Sequence, residues 1–407
     1  MRKTIFSHTT GSHQSCDDVF HTPRVQLRPF DPLTLQFLNQ LSVCLLADKR
    51  HNRNPEIVSL GFWLRKSNVD QFHKENMHWL DHKGYTVTAL GPVFHVAPSN
   101  VDTIFLYSAT VSLLMGNTNV VRLSSDLSPS VQFIISCINH ILALPENEIL
   151  RPYLSFISYG HEDEISTYFS SEAQGRVIWG GDQTVLHFKS LKSGPALRDI
   201  IFPNRVSHSL IKAKSFLDAD DEAKALAAKN FFNDAYVFDQ LGCSSPRVIF
   251  VYGTIAEKES FIPAFYKELD KITKTRYTSE ASALSIVKFN HLVDDLMDIP
   301  VRNITKDDNT IYLIETDTMP VSVDNCVGGY FYLRHISSLE ELSAELPLST
   351  QTLSYFGLQE TDLKSLQEAT SRKRIDRIVP MGQSLSFHYL WDGMNLFEQL
   401  SRKRAII

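Results

Sequence analysis

Apolar positions recur at two different spacings along the chain. From about 32 to 48 and again from 67 to 80 they follow a helical period, so both stretches predict amphipathic helices. The first 24 residues are polar, with His, Ser and Thr in excess, and read as a mobile arm or as a strand that wraps the body. Beyond Gly84 the pattern switches to short apolar strands separated by helices. Tyr85 to Leu90 and Val93 to Val96 predict strands, and Pro98-Ser99-Asn100 then opens an apolar helix from Val101 to Met115 with Asn100 as its N-cap. Gly116-Asn117 closes that helix and Asn119 to Leu123 is a buried strand, which completes a βαβ unit. The same alternation continues through a helix from Ser128 to about Leu144, a strand over Tyr153 to Ser158, a helix over Glu162 to Ala173, and a strand over Arg176 to Trp179.

A second series starts near residue 207. A helix from about Ala219 to Phe238 leads into Asp239-Gln240-Leu241-Gly242-Cys243-Ser244-Ser245-Pro246, and Arg247 to Tyr252 is the strand beyond it. Helices near 256–271, 281–297 and 360–373 and strands near 310–315 and 330–334 follow. The fold class is therefore α/β: two doubly wound, mostly parallel sheets with ligands at the carboxyl ends of the strands. With no repeat and no low-complexity linker in view, the two lobes predict a catalytic cleft between them.

Composition narrows the partners. The chain has 407 residues, too many for one core, and a formal net charge of −6, which argues against nucleic acid or an anionic membrane surface. No apolar run approaches the roughly 18 residues of a membrane span. The basic opening has no apolar segment behind it, so the chain reads as cytoplasmic and without a signal peptide. Its five cysteines show neither CxxC nor zinc-finger spacing, so neither a metal site nor a dithiol is predicted. Cys44 and Cys137 lie in apolar stretches and read as core.

Four places carry candidate chemistry. Cys243 sits where a helix pattern ends and a strand pattern begins, a setting suited to a nucleophile. Gly180-Gly181-Asp182-Gln183-Thr184 links a strand to a helix; it is either a phosphate cradle or an ordinary tight turn, and it lacks the GxGxxG fingerprint. Arg122-Leu123-Ser124-Ser125-Asp126 ends a central strand, where Arg122 and the serines suit either a phosphate or a surface ion pair. Asn100 serves as a helix cap or as an oxyanion donor. His95 and His208 are read as packing or capping residues that can also approach the cleft.

Taken together these stretches resemble the acyl-CoA reductase family typified by LuxC, within the aldehyde dehydrogenase superfamily, over roughly residues 85 to 400. The resemblance is carried by Gly91-Pro92-Val93-Phe94-His95-Val96-Ala97-Pro98-Ser99-Asn100, Tyr107-Ser108, Ser112 to Asn117, Val121 to Ser124, Val177 to Thr184, Asp239 to Pro246 and Trp391-Asp392-Gly393. It implies an aldehyde dehydrogenase-like fold: an arm and NADP-binding domain over 1–206, a catalytic domain over 207–380 and a return and oligomerisation segment over 381–407. Within that last segment, Met381 to Phe397 matches the projecting strand of the superfamily.

The resemblance places Cys243 at the nucleophile. Asn100 falls at the side-chain oxyanion donor, and Pro98, Arg122, Ser124, Gly180, Gly181, Asp182 and Thr184 fall around the cofactor. It further implies an acyl thioester substrate on CoA or a carrier protein, an acyl-protein synthetase as partner, and a homo-oligomer. Two departures sharpen it. Phe202 to His208 lacks the glutamate with which hydrolytic relatives activate water, which favours reduction of a thioester to the aldehyde. Arg122 and Ser125 replace the lysine and glutamate of NAD-preferring relatives, which favours NADPH. A non-catalytic acyl-binding or nucleotide-binding scaffold and an aldehyde dehydrogenase forming free acid are the alternative readings.

Overall fold

The computed structural model describes residues 4–20, 25–48, 50–51, 54–98, 101–277, 281–306, 308–320 and 322–406. The chain divides into two units, residues 1–204 with 387–407 and residues 205–386. Each is built on its own seven-stranded sheet.

In the first unit the elements run β1 (Thr4–Ser7), β2 (Ser12–Ser15), α1 (Pro32–Ala47), α2 (Pro55–Trp63), α3 (Lys66–Leu80), β3 (Tyr85–Ala89), β4 (Val93–Val96), α4 (Ile104–Leu114), β5 (Asn119–Arg122), α5 (Pro129–Leu142), β6 (Leu154–Ser158), α6 (Asp163–Glu172), β7 (Gly175–Trp179), α7 (Asp182–Ser190) and β8 (Arg198–Phe202). The sheet order is β2-β1-β6-β5-β4-β7-β8. Strands β4 to β8 are mutually parallel. The chain steps outward from β4 to β5 and β6, then returns to the far side of β4 as β7, so the order reverses between β4 and β7. Helix α4 is buried all round from Phe105 to Leu114, which accounts for its unbroken apolar sequence. It begins at Ile104, and its N-cap is Thr103. The cap predicted at Asn100 is therefore not the observed one, and Asn100 itself lies outside the described residues.

The N-terminal stretch is a strand rather than an arm over its described part. The hairpin of β1 and β2 extends the sheet antiparallel to β6. Ile5, Cys16 and Val19 are buried in the core under it.

In the second unit the order along the chain is β9 (Val206–Lys212), α8 (Ala213–Leu217), α9 (Asp221–Ala235), β10 (Pro246–Tyr252), α10 (Ile255–Arg276), α11 (Ala281–Asp298), β11 (Val301–Thr305), β12 (Tyr312–Thr316), β13 (Tyr330–Ile336), α12 (Leu339–Glu345), β14 (Thr350–Phe356), α13 (Glu360–Ala369) and β15 (Arg377–Pro380). Its sheet reads β11-β12-β13-β10-β9-β14-β15 and is parallel except for the edge strand β11.

The chain ends in the first unit with β16 (Leu390–Trp391), β17 (Met394–Asn395), α14 (Leu396–Gln399) and β18 (Ser401–Ala405), the last antiparallel to β3. The stretch from Met381 to Phe397 is not a projecting strand. Met381 is buried in a core of the second unit, and Phe387, Tyr389, Trp391 and Phe397 are buried in a core of the first, because side chains this apolar gain more from burial than from exposure on a ribbon.

The strands β4 and β9 each carry a fully buried histidine. His95 is held as the neutral ring: Nε2–H donates to Asn119 Oδ1 at 3.0 Å, and Nδ1 accepts from Ser108 Oγ at 2.8 Å. Asn119 is fixed in that orientation by its own amide, which donates to the Asn117 and Tyr153 carbonyls. His208 has no hydrogen-bond partner on either ring nitrogen among the described residues. Burial pushes the pKa of His95 down to about 4. Burial, with the neighbouring Arg247 guanidinium, pushes that of His208 down to about 3. Both therefore fill packing roles.

The unfolded chain binds these two protons near pH 6.5 and the folded chain does not. Stability is thus full above pH 6.5 and is lost as pH falls toward 4 and then 3, by up to about 1.4 kcal/mol per pH unit for each ring. Thermal melts between pH 7.5 and 5 should show this fall, and His208→Leu should flatten it; an unchanged slope would show that His208 is not titrating on unfolding.

Candidate active site

Cys243 lies on the turn between α9 and β10, and the sequence dictates the shape of that turn. Asp239 and Gln240 both adopt left-handed backbone, φ 49° and 62°. Such conformations cost on the order of 1 kcal/mol or more for residues with a Cβ. Gln240 offsets this with a fully used side chain. Its Nε2 donates to the carbonyls of Pro246 and Tyr330, both at 3.0 Å. Its Oε1 accepts the N–H groups of Gly329 at 2.8 Å and Tyr330 at 3.0 Å. Position 329 must be glycine for this: φ is +94°, and a Cβ there would stand 2.0 Å from the Thr310 carbonyl oxygen. Asp239 is tied down as well, accepting from Tyr277 Oη at 2.7 Å.

From this anchored turn Cys243 meets the amino ends of β9 and β14. Its carbonyl accepts from Ser207 Oγ at 2.7 Å, and the same hydroxyl accepts the Thr352 N–H at 3.2 Å. Its Sγ accepts a hydrogen bond from Gln351 Nε2 at 3.4 Å. The amide end of Gln351 is thus set beside the thiol, and an N–H donor favours the thiolate over the thiol. Arg205 fixes the approach to β14 from below, donating to the carbonyls of Ser349 and Thr350 and pairing with Asp376.

The remaining cysteines differ in kind. Cys16, Cys137 and Cys326 are buried, and burial pushes the thiols of Cys137 and Cys326 far up. Cys44 is only partly buried and packs against the core.

Gln351 carries no signal in the sequence, since β14, Thr350-Gln351-Thr352-Leu353-Ser354-Tyr355-Phe356, is too polar to show the apolar pattern of an interior strand. Gln240 stood in a quoted motif without a role. A buried glutamine able to bond both flanking strands was the available signal.

The cofactor candidates collect at one edge of the first unit's sheet. Register pairs Val96 with both Arg122 on β5 and Ile178 on β7. Pro98 and Gly180, each two residues further along, thus follow the carboxyl ends of the adjacent strands β4 and β7, where the strand order reverses, the place where open α/β sheets bind ligands. Gly181 is the N-cap of α7, and no side chain caps that helix. Its first amides therefore have no side-chain cap, an arrangement suited to a phosphate. A Cβ at Gly180 would stand 3.0 Å from the Thr184 side chain, a tight contact. Asp182 has a structural duty, accepting the Asn204 N–H at 3.2 Å.

Arg122 donates to the Gly160 carbonyl at 3.0 Å and lies 4.7 Å over the Tyr159 ring. Among the described residues it makes no ion pair, and its Nε is buried without a partner, so it retains hydrogen-bonding capacity for an anion. Ser124 Oγ accepts the Asp126 N–H at 3.3 Å and keeps its own proton to donate. These groups fit a nucleotide phosphate. Cys243 is carried by the second unit, and Asn100 is not among the described residues.

The fold is that of the aldehyde dehydrogenases. Lactaldehyde dehydrogenase from Escherichia coli superposes with a TM-score of 0.64 at 12% identity, covering 92% of this chain and 86% of its own. NAD-dependent aldehyde dehydrogenase from Sinorhizobium meliloti does so with a TM-score of 0.64 at 11% identity, covering 96% and 84%. No curated protein matches the sequence. The family model for acyl-CoA reductase (LuxC) matches residues 64–403. The chain, an oxidoreductase, belongs to the acyl-CoA reductase (LuxC) family.

Proposed function

We propose that this protein reduces an acyl thioester to the aldehyde with NADPH, through an acyl-cysteine on Cys243. The observation that carries the reading is the Cys243 thiol held on a bonded turn with the Gln351 amide beside its sulfur. The thiolate adds to the thioester carbonyl, and the resulting oxyanion is received by the Cys243 N–H, with Asn100 as the second donor that the family resemblance implies. Collapse breaks the original C–S bond, releases the carrier as its thiol once protonated, and leaves the acyl group on Cys243.

The nucleotide, when bound, supplies a hydride to that acyl carbon. Arg122, the first amides of α7 and Ser124 would hold its phosphates. Cys243 then leaves as a thiolate, again favoured by the Gln351 N–H, and the aldehyde is freed. In balance, thioester, NADPH and one proton give aldehyde, free thiol and NADP. The stretch from Phe202 to His208 contains no carboxylate to activate water, which favours reduction over hydrolysis of the acyl-cysteine. The acyl chain is supplied by CoA or a carrier protein in this reading.

Incubation with an acyl-CoA should place acyl mass on the Cys243 peptide, and NADPH should then remove it with aldehyde appearing. Absence of acylation would support a binding module instead, and free acid would support a hydrolytic dehydrogenase. Gln351→Leu, with its melting temperature checked, should raise the apparent thiol pKa by about one unit, read from the pH dependence of iodoacetamide alkylation; an unmoved pKa would remove Gln351 from the mechanism. Arg122→Ala should raise KM for NADPH about tenfold or more while moving that for NADH far less. Equal effects on both would assign Arg122 to a contact common to the two nucleotides.

A further inference from the structure

Helix α11 is packed inside out. The side chains it buries include Lys288, His291 and Asp295, and those it exposes include Ile286, Phe289, Val293, Leu296 and Met297, which are 40–79% accessible. The buried side is a closed polar network. Asp295 accepts from Tyr330 Oη at 2.5 Å and from Tyr332 Oη at 2.8 Å, and Tyr332 Oη also meets His291 Nε2 at 3.0 Å. Lys288 Nζ donates to the Gly328 carbonyl at 2.7 Å and to that of Asn309. Turning the helix to bury its apolar side would leave these tyrosines and the two carbonyls buried without partners, which costs more than leaving the apolar side exposed. The network therefore fixes which face looks outward.

The outward face has the order of a pairing seam. Ile286, Phe289, Val293 and Leu296 are spaced 3, 4 and 3 apart, with β-branched residues at the first and third positions and larger side chains at the second and fourth. That is the a/d pattern of two-helix coiled coils. The exposed apolar surface of these residues with Met297 and the flanking Val287 is about 600 Å², at the upper end of the patches that monomers leave to water. Duplicated across a two-fold axis it becomes about 1,200 Å², the lower bound for a specific stable interface. The exposed positions beside the stripe are Asn290, Asp294 and Asp298, with no lysine or arginine among them, so the helix is not built for an anionic membrane.

We infer that α11 pairs with α11 of a second copy of this chain, so that the stripe is the centre of an isologous dimer interface. The inference is independent of the reaction proposed above. Sedimentation velocity of the full chain at tens of micromolar should show a self-associated species. Phe289→Glu with Val293→Glu, both at exposed positions and so expected to leave the melting curve in place, should weaken one association step by on the order of 100-fold or more, taking a dimer to monomer or a tetramer to dimer. Ile286→Ala, which trims the seam without adding charge, should weaken the same step to a smaller degree. A wild-type chain that stays monomeric, or one whose stoichiometry ignores the double substitution, overturns the assignment.

Discussion

The side chain of Gln240 spends all four of its hydrogen-bonding positions on backbone, and the geometry around Cys243 depends on that. Two consecutive left-handed residues would otherwise leave the turn free to relax into a continuation of α9 or a longer loop. Satisfying Gln240 ties the turn to the first residues of β10 and β13 at once, so the turn moves only if the sheet moves. Gly329 completes the arrangement by presenting an N–H where any larger residue would collide with Thr310. A thiol placed this way is positioned by interior strands rather than by a surface loop, and the Ser207 hydroxyl, bridging the Cys243 carbonyl to β14, extends the same rigidity to Gln351.

The elements legible in the sequence were those whose apolar period was unbroken. The helices α1, α3, α5 and α10 and the strands β4, β5, β7 and β10 show their burial directly in their side chains, and the alternation of strand and helix identified the α/β class. The irregular setting of Cys243 was legible for the same reason, since both neighbouring elements were clear. What could not be read was the polar interior of the second sheet. Strand β14 buries Thr350, Gln351, Thr352 and Ser354, and β9 buries Ser207, His208 and Ser209. The Ser209 and Ser354 hydroxyls satisfy one another across the strands at 2.5 Å, and Ser207 Oγ accepts the Thr352 backbone N–H at 3.2 Å. Pairing of this kind removes the desolvation cost that ordinarily keeps such residues outside, and it leaves no trace in a hydrophobicity pattern because the partners lie about 145 positions apart.

The C-terminal segment was misread for the opposite reason. Its strand-like, aromatic-rich sequence fits a projecting ribbon as well as a core, and only the packing partners decide. Phe387 stacks on Tyr107 at 4.6 Å and on Trp391 at 4.9 Å, while Tyr389 stacks on Phe397 at 5.1 Å. Rings that find one another in the interior leave only β18, with the polar sequence Ser401-Arg402-Lys403-Arg404-Ala405, to run as an exposed strand beside β3.

The two sheets also divide the chemistry in a way their topology explains. In the first unit the candidate groups stand at the carboxyl ends of β4, β5 and β7, where the strand order reverses and helix α7 begins without a side-chain cap. In the second unit the thiol stands at the opposite, amino end of its strands, just before β10 begins. A parallel sheet offers an anion site at its carboxyl edge because helices start there, and no such site at its amino edge, where the preceding helices end. The helix field around Cys243 is accordingly of little help in stabilising a thiolate, since α9 presents its C-terminal carbonyls to the turn. A neutral donor stands beside the sulfur instead. That donor is the Gln351 amide, 3.4 Å from the sulfur, and a hydrogen bond to a charged form favours it whether or not the donor is itself charged.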